Sequence, residues 1–285
     1  MENGVSMAEL GKINKLKIIS KSKNHFVLDG EQYGDLWLKI KDIDFFERTQ
    51  KNSLIQVFLY KVTDNEVALT IDKPKAEANQ CALLKVVKIS EHGAFLDIGL
   101  PKDLFVPINQ QRKRLRKDSH CLAYIYLDKK TGRLLGSTKL NRHLMEESDE
   151  LESGQQVSLQ IWEKTDLGYK AVIDDKFIGL IFKQDAYRSL SFGEKLTGFI
   201  KNIREDKKID LLISKKANTE SHYELDKNIL NAVNVSGGTL NITDKTSPEE
   251  IYKKFSVSKK QYKQAIGRLY KKRLIKIESE RISLI

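Results

Sequence analysis

Cysteine, long apolar runs and paired catalytic groups are what this chain has least of, and each shortage excludes a class of protein. With 2 cysteines in 285 residues, neither a disulfide framework nor a zinc-spaced cluster can be assembled. Cys81 and Cys121 both sit in apolar, strand-like segments, which makes them small buried side chains rather than ligands or a redox pair. No stretch approaches the ~20 apolar residues of a membrane-spanning helix. The start, Met1 to Gly11, lacks the basic residues and apolar core of a secretory signal. The expectation is a cytoplasmic protein with no membrane partner. Catalytic signatures are missing too: there is no Gly-rich phosphate loop before a Lys, no metalloprotease His pair and no nucleophile elbow. The histidines, at 25, 92, 120, 143 and 222, are scattered. Glu91, Asp97 and Asp128 come nearest to a metal-assisted nuclease set, but exposed turn and strand positions account for them more simply. The acidic run Glu146, Glu147, Asp149, Glu150 and Glu152 lacks the alternating ligands and glycine of a calcium loop, and reads as a solvated helix or linker. No enzyme, cofactor or metal is expected.

What is present is a hydrophobic content of 40% in short, regular runs, enough for several small cores and too much for a disordered chain. The formal net charge of +11 fits a polyanionic partner.

The most informative stretch runs from Cys81 to Leu140, centred on His92-Gly93-Ala94-Phe95-Leu96-Asp97-Ile98-Gly99. As a strand it alternates, with Ala94, Leu96 and Ile98 toward a core and Phe95 and Asp97 on the other face. An aromatic ring is thereby left where a polar residue belongs. Around it lie Leu83 to Ile89, the short run Leu104-Phe105-Val106-Pro107-Ile108, Leu122 to Leu127 and, after the turn Asp128 to Gly132, Arg133 to Thr138. Five short strands in about 60 residues predict a small Greek-key barrel. This segment resembles the S1 RNA-binding domain, an OB-fold module. The resemblance implies an RNA face at His92, Phe95, Pro107, Asp128 and Arg133, with His92 in place of the usual aromatic and Pro107 in place of the usual His.

The same order of elements recurs on both sides. From Leu16 to Asp72, Asn24-His25-Phe26-Val27-Leu28 takes the place of the Gly-Ala-Phe strand without its glycine, and Leu36 to Ile40 is the third strand. Phe26, Trp37 and Tyr33 are candidate stacking rings that core packing would explain equally well. From Gln155 to Ser214, Gly168 to Ile173 fills the same place and Phe177 to Phe182 follows. Lys170 stands where Phe95 stands, and Phe182 and Lys208 fall at the His and Arg positions of the motif. The glycine-type strands begin at Asn24, Gly93 and Gly168, a repeat of about 70 residues that supports tandem modules. Lys73 to Glu77 reads as a linker.

From Tyr223 the period changes to between three and four, with Leu225, Ile229, Leu230 and Val233 on one helical face. Ser247-Pro248-Glu249-Glu250 opens a second helix. Ser256 or Ser258 caps a third with a buried stripe of Tyr262, Ala265, Ile266, Leu269 and Tyr270. Leu274 to Ile277 and Ile282 to Ile285 form a hairpin. Helix, strand, two helices and a hairpin is a winged-helix layout. Its third helix carries Lys259, Lys260, Lys263, Arg268, Lys271, Lys272 and Arg273, which can contact phosphates, although the hairpin turn holds Glu278 and Glu280 rather than basic residues.

The expected fold is mainly β with an α+β end: OB-fold units over 1–75, 79–140 and 154–216, and a winged helix over 222–285. This order of modules resembles the conserved virulence factor B, or YitL-like, family. The resemblance implies a cytoplasmic bacterial single-stranded RNA-binding regulator acting after transcription. Duplex nucleic acid at the winged helix, a DNA-binding transcription regulator and a ribosome-associated interaction protein remain open as alternatives, and protein partners stay unknown.

Overall fold

Alternating burial builds each sheet unit. The computed structural model describes the chain except residues 1–6, 23–24, 41–42, 64–65, 187 and 214–218, and describes the backbone alone at 43–44, 46 and 219–224. Asn24, the turn at Asp64-Asn65 and the strand end at Ser214 lie outside the described residues.

The first unit consists of β1 (Ile13–Ser22), β2 (His25–Asp29), β3 (Asp35–Lys39), helix α1 (Ile43–Arg48), β4 (Leu54–Thr63) and β5 (Glu66–Thr70), in the order β3-β2-β1-β4-β5. Leu16, Ile18, Leu28, Leu38, Val57 and Leu59 point into its core. The second unit is a closed barrel of β6 (Cys81–Ile89), β7 (Gly93–Asp97), β8 (Leu104–Pro107), β9 (His120–Leu127) and β10 (Leu134–Ser137). Leu84, Val86, Ala94, Leu96, Val106 and Ile125 fill it, and complete burial of each Leu or Ile contributes about 1.5–3 kcal/mol. The third is a closed barrel of β11 (Gln156–Lys164), β12 (Gly168–Ile173), β13 (Phe177–Phe182), β14 (Lys195–Ile203) and β15 (Ile209–Leu212).

Closure depends on a glycine at the parallel seam. In the second barrel β10 meets β8 at Leu135 opposite Phe105, and a Cβ on the adjacent Gly136 would lie 2.8 Å from Val106 Cγ2. In the third, β13 meets β15 with Gly179 opposite Ile209, and a Cβ there would lie 2.8 Å from Leu211 Cδ1. Neither β3 nor β5 contains a glycine, and the first sheet remains open between them.

The first two sheet units pack into one compact body, residues 1–143. Residues 73–80 are not a loose linker. Lys75 N donates to Ile98 O at 2.8 Å, Ala78 N to Gly11 O at 2.8 Å and Asn79 N to Ile125 O at 2.7 Å, while Gly11 N donates to Leu59 O at 2.7 Å. Ala76 and Ala78 are buried. The connection is therefore hydrogen-bonded to both sheets.

The second body, residues 144–285, begins with the acidic segment laid against the third barrel. The acidic segment is neither a helix nor a free linker but an extended strap on the third barrel, with bridges from Met145 to Phe177 and from Glu147 to Lys208. Its carboxylates meet barrel lysines: Asp149 is 2.7 Å from Lys207, Glu146 is 3.9 Å from Lys170, and Glu150 pairs with Lys176.

After this barrel come α2 (Thr219–Val235), β16 (Thr239–Leu240), α3 (Pro248–Phe255), α4 (Lys259–Lys271), β17 (Ile275–Ile277) and β18 (Ile282–Leu284), with strand order β16-β18-β17. Ser247 caps α3 by accepting from Glu250 N, and Ser258 forms a capping box with Gln261 at the start of α4. Tyr262, Ala265, Ile266 and Leu269 are buried, and the Tyr262 hydroxyl donates to Ile242 O at 2.8 Å. Tyr270, expected in that stripe, is 55% exposed: it lies in the last turn of α4, beyond the face that packs on the core.

Candidate nucleic-acid interface

The second barrel gathers three of its five expected residues, His92, Phe95 and Arg133, around one cleft. A Cβ on Gly93 would lie 2.3 Å from Val106 O and 2.7 Å from Phe105 Cε2, so glycine lets β8 lie close against β7. Phe95 then faces Phe105 directly across the ladder, with ring centroids 5.0 Å apart and an interplanar angle of 41°. Lys88 opposes Phe95 from β6, its Nζ 5.8 Å from the ring centroid. His92, Phe95 and Arg133 line the same cleft of about 560 Å³, together with Lys88, Phe105 and, from the first unit, Tyr60 and Lys61. Aromatic faces beside cations suit a base that stacks and a phosphate that is neutralised.

Two positions carried over from the S1 resemblance do other work. Asp128 lies outside the cleft lining. Its carboxylate accepts from Thr131 Oγ1 at 2.8 Å and Thr131 N at 3.0 Å, and these bonds hold it below the usual carboxylate range. Asp128 N also donates to Arg133 O at 2.9 Å, so Asp128 shapes the turn that delivers Arg133. Pro107 pairs in register with Gly93 and has no side-chain donor for a ligand. Asp97 is tied to Lys75 at 2.7 Å and to Gly99 N at 2.9 Å, which hold it low as well. Among the described residues, no three or more His, Cys, Asp or Glu side chains are grouped to hold a metal ion.

In the first unit Phe26 is corrected. It is 0% exposed, part of the core, and edge-on to Phe45 at 6.3 Å. Without the glycine, and with a register shift in β1 between Ile18 and Ser20, the strand phase differs by one residue from the aligned reading, and such a slip moves every side chain to the opposite face. Tyr33 packs partly buried against the same core. Trp37 points outward between Leu36 and Leu38 and is 67% exposed.

In the third barrel Lys170 and Lys208 share a cleft of about 540 Å³ with Glu146, Asp166, Arg204 and Asp210. All three of its cations already have carboxylate partners: Lys170 with Glu146, Arg204 with Asp210 at 2.7 Å and Lys208 with Asp206 at 3.1 Å. Lys170 Nζ also lies 5.7 Å from the Trp162 ring. Phe182 is outside this lining, with the Arg204 guanidinium 5.3 Å from its ring.

On the winged helix, Arg268 is corrected from a phosphate contact to a fold contact. Its Nη2 lies 2.6 Å from Asp226 Oδ1 of α2, and Lys272 Nζ lies 3.7 Å from the same carboxylate, which is 7% exposed. A nearly buried carboxylate needs that partner. Lys259 donates to Lys245 O at 3.3 Å, and Lys263 stands 3.6 Å from Asp244. Lys260, Lys263 and Lys271 are exposed. In the hairpin turn, Glu278 pairs with Arg281 at 2.5 Å.

Phe105 was missed, although its place between buried Leu104 and Val106 marks it as outward by the alternation that identified Phe95. Lys88 was hidden by the bulge between Val86 and Lys88. Tyr60 and Lys61 come from another sheet and leave no local signal.

No helix among the described residues is long and apolar enough to cross a membrane. The S1 domain family model matches residues 10–72 and 80–139, and that of the CvfB-like winged helix domain matches 227–284. The chain is similar to the conserved virulence factor B of Staphylococcus epidermidis, 23% identical over 96% of this chain and 94% of that one. It is similarly related to that of Staphylococcus aureus, 22% identical with the same coverage. Among solved structures, a multidomain protein with nucleic acid binding domains from Streptococcus pneumoniae aligns with 97% of this chain and 98% of its own, at 21% identity and a TM-score of 0.39. Two S1 domains followed by a CvfB-like winged helix domain, with similarity to conserved virulence factor B along 96% of the chain, make that family the one this chain resembles throughout.

Proposed function

We propose that the protein is a non-catalytic single-stranded RNA-binding regulator, acting after transcription in the bacterial cytoplasm. The observation that carries this reading is the cleft of the second barrel, where His92, Phe95 and Arg133 converge with Lys88 and Phe105. Rings supply base-stacking surface without demanding a sequence, and the cations track a backbone. The exposed Lys260, Lys263 and Lys271 of α4 add phosphate contacts. The test is competition on the full chain: a labelled single-stranded RNA is displaced by unlabelled RNA of the same length far more readily than by duplex DNA. The second reading, a DNA-binding regulator led by the winged helix, is favoured by the lysines of α4. Displacement by duplex DNA at equal or lower concentration would establish it instead.

A further inference from the structure

The cleft of the second barrel is not made by that barrel alone. Tyr60 and Lys61 of β4 line it together with the second barrel's own residues, and the two sheets are held together by the hydrogen bonds through Gly11 and Ala78. Lys61 reaches the β9–β10 turn itself: a Cβ on Gly132 would lie 3.3 Å from Lys61 Cδ and 3.7 Å from its Nζ. Tyr60 is half-buried, its ring 6.2 Å from Phe58 at an angle of 26°. An open barrel face offers a base one stacking surface. A half-open cleft lined by rings and cations from two sheet units offers it more than one, in the volume small-molecule sites have.

We propose that the first sheet unit supplies the outer wall of this site, so that it takes one or two nucleotides turned out of a single strand, with Tyr60 on one side and the Phe95–Phe105 pair on the other. Lys61 joins Lys88 and Arg133 in neutralising the phosphates. The proposal rests on the single-strand reading, but it fails separately from it. It also makes Tyr60 and Lys61 binding residues of a site that motif comparison within the second barrel cannot reveal.

The test uses the full chain and a labelled single-stranded RNA of about five nucleotides, the lower range of an OB-fold site. Tyr60→Leu should weaken binding about tenfold, and Tyr60→Phe, which keeps the ring, should bind as the parent does. Lys61→Gln should lower the salt slope by about 0.7. Photo-crosslinking of thiouridine-substituted RNA to the parent protein should attach to the peptide bearing Tyr60. Parent-like affinity in Tyr60→Leu and an unchanged slope in Lys61→Gln, with Phe95→Leu weakened, would overturn the shared wall and leave the single-strand reading standing. Parent-like affinity in Phe95→Leu as well would overturn both. Should Tyr60→Leu not fold, Lys61→Gln and the crosslinked peptide decide the matter. Free uridine monophosphate competing as well as the oligonucleotide would overturn the strand assignment in favour of a nucleotide pocket.

Discussion

Replacing Phe95 with alanine removes one ring of the Phe95–Phe105 pair and the face beside Lys88, and the costs to folding and to binding can be separated. For folding, an aromatic pair is worth about 0.5–1.5 kcal/mol beyond its buried area, and half-burial of a phenylalanine adds about 1 kcal/mol, so the loss is roughly 2 kcal/mol. For binding, one base–ring stack is worth about 1–3 kcal/mol, a loss of about 5- to 150-fold in affinity. A ring carries no net charge, so the line of log affinity against log salt should drop without changing slope. Phe95→Leu restores much of the apolar contact but no π face. Its stability should recover while its affinity does not. Fluorescence anisotropy with a labelled single-stranded RNA at several salt concentrations, beside urea denaturation of the same proteins, gives both quantities. If Phe95→Leu binds like the parent at every salt concentration, Phe95 is a packing residue and the second barrel loses its claim to the binding site.

Other expectations follow from groups described above. The double change Lys260→Gln and Lys263→Gln should reduce the salt slope on single strands by up to about 1.4, at about 0.7 per contact; an unchanged slope would assign α4 to another role. Arg268→Leu should cost about 1.5–3 kcal/mol in urea unfolding, because the Asp226 carboxylate loses its closest partner among the described residues and is left with the more distant Lys272; a change below about 0.5 kcal/mol, ordinary for an exposed surface site, would refute the fold role. His143 lies 4.8 Å from each of the Tyr124 and Tyr126 rings, and burial, then the Arg142 charge, pushes its pKa below the ordinary imidazole value. Its folded form therefore binds fewer protons than the unfolded chain: its contribution is present above about pH 6.5 and is lost as pH falls toward the lower folded value. His143→Phe should flatten the stability–pH curve in that window, and an identical curve would remove His143 as its source.

The sheets were legible in the sequence wherever alternation ran undisturbed. Ala94, Leu96 and Ile98 are buried as their phase requires, and Ser247 and Ser258 cap the helices that their neighbours announce. Phe26 shows the limit, because a strand without its glycine and beside a bulge offers no landmark for counting phase. The winged-helix stripe was right at Tyr262, Ala265, Ile266 and Leu269 and failed at Tyr270, where the helix runs past its partner. Arg268 looked like its neighbouring lysines because its partner Asp226 lies on a different helix. The acidic strap likewise reads as solvated until the lysines it meets, some of them about 60 residues later in the chain, are folded beside it. The site itself was half legible: His92, Phe95 and Arg133 belong to one repeat, whereas the wall formed by Tyr60 and Lys61 exists only because two repeats pack together.

The strap on the third barrel has a consequence for how this protein responds to ionic strength. Small cations condensed on a nucleic acid depart into bulk solution when a protein binds, and that dilution entropy is what makes binding salt-dependent. At the third barrel Glu146, Asp149 and Glu150 already act as counterions to Lys170, Lys207 and Lys176, and they are covalently part of the chain. A phosphate taking their place displaces a tethered anion, which stays at high local concentration and competes for the same lysines. That competition does not weaken on dilution of the protein, and it raises the threshold an incoming polyanion must exceed. Salt, by loosening the strap as well as screening the phosphate, acts on both sides of the exchange. Affinity measured at this barrel should therefore fall less steeply with salt than its number of lysines suggests.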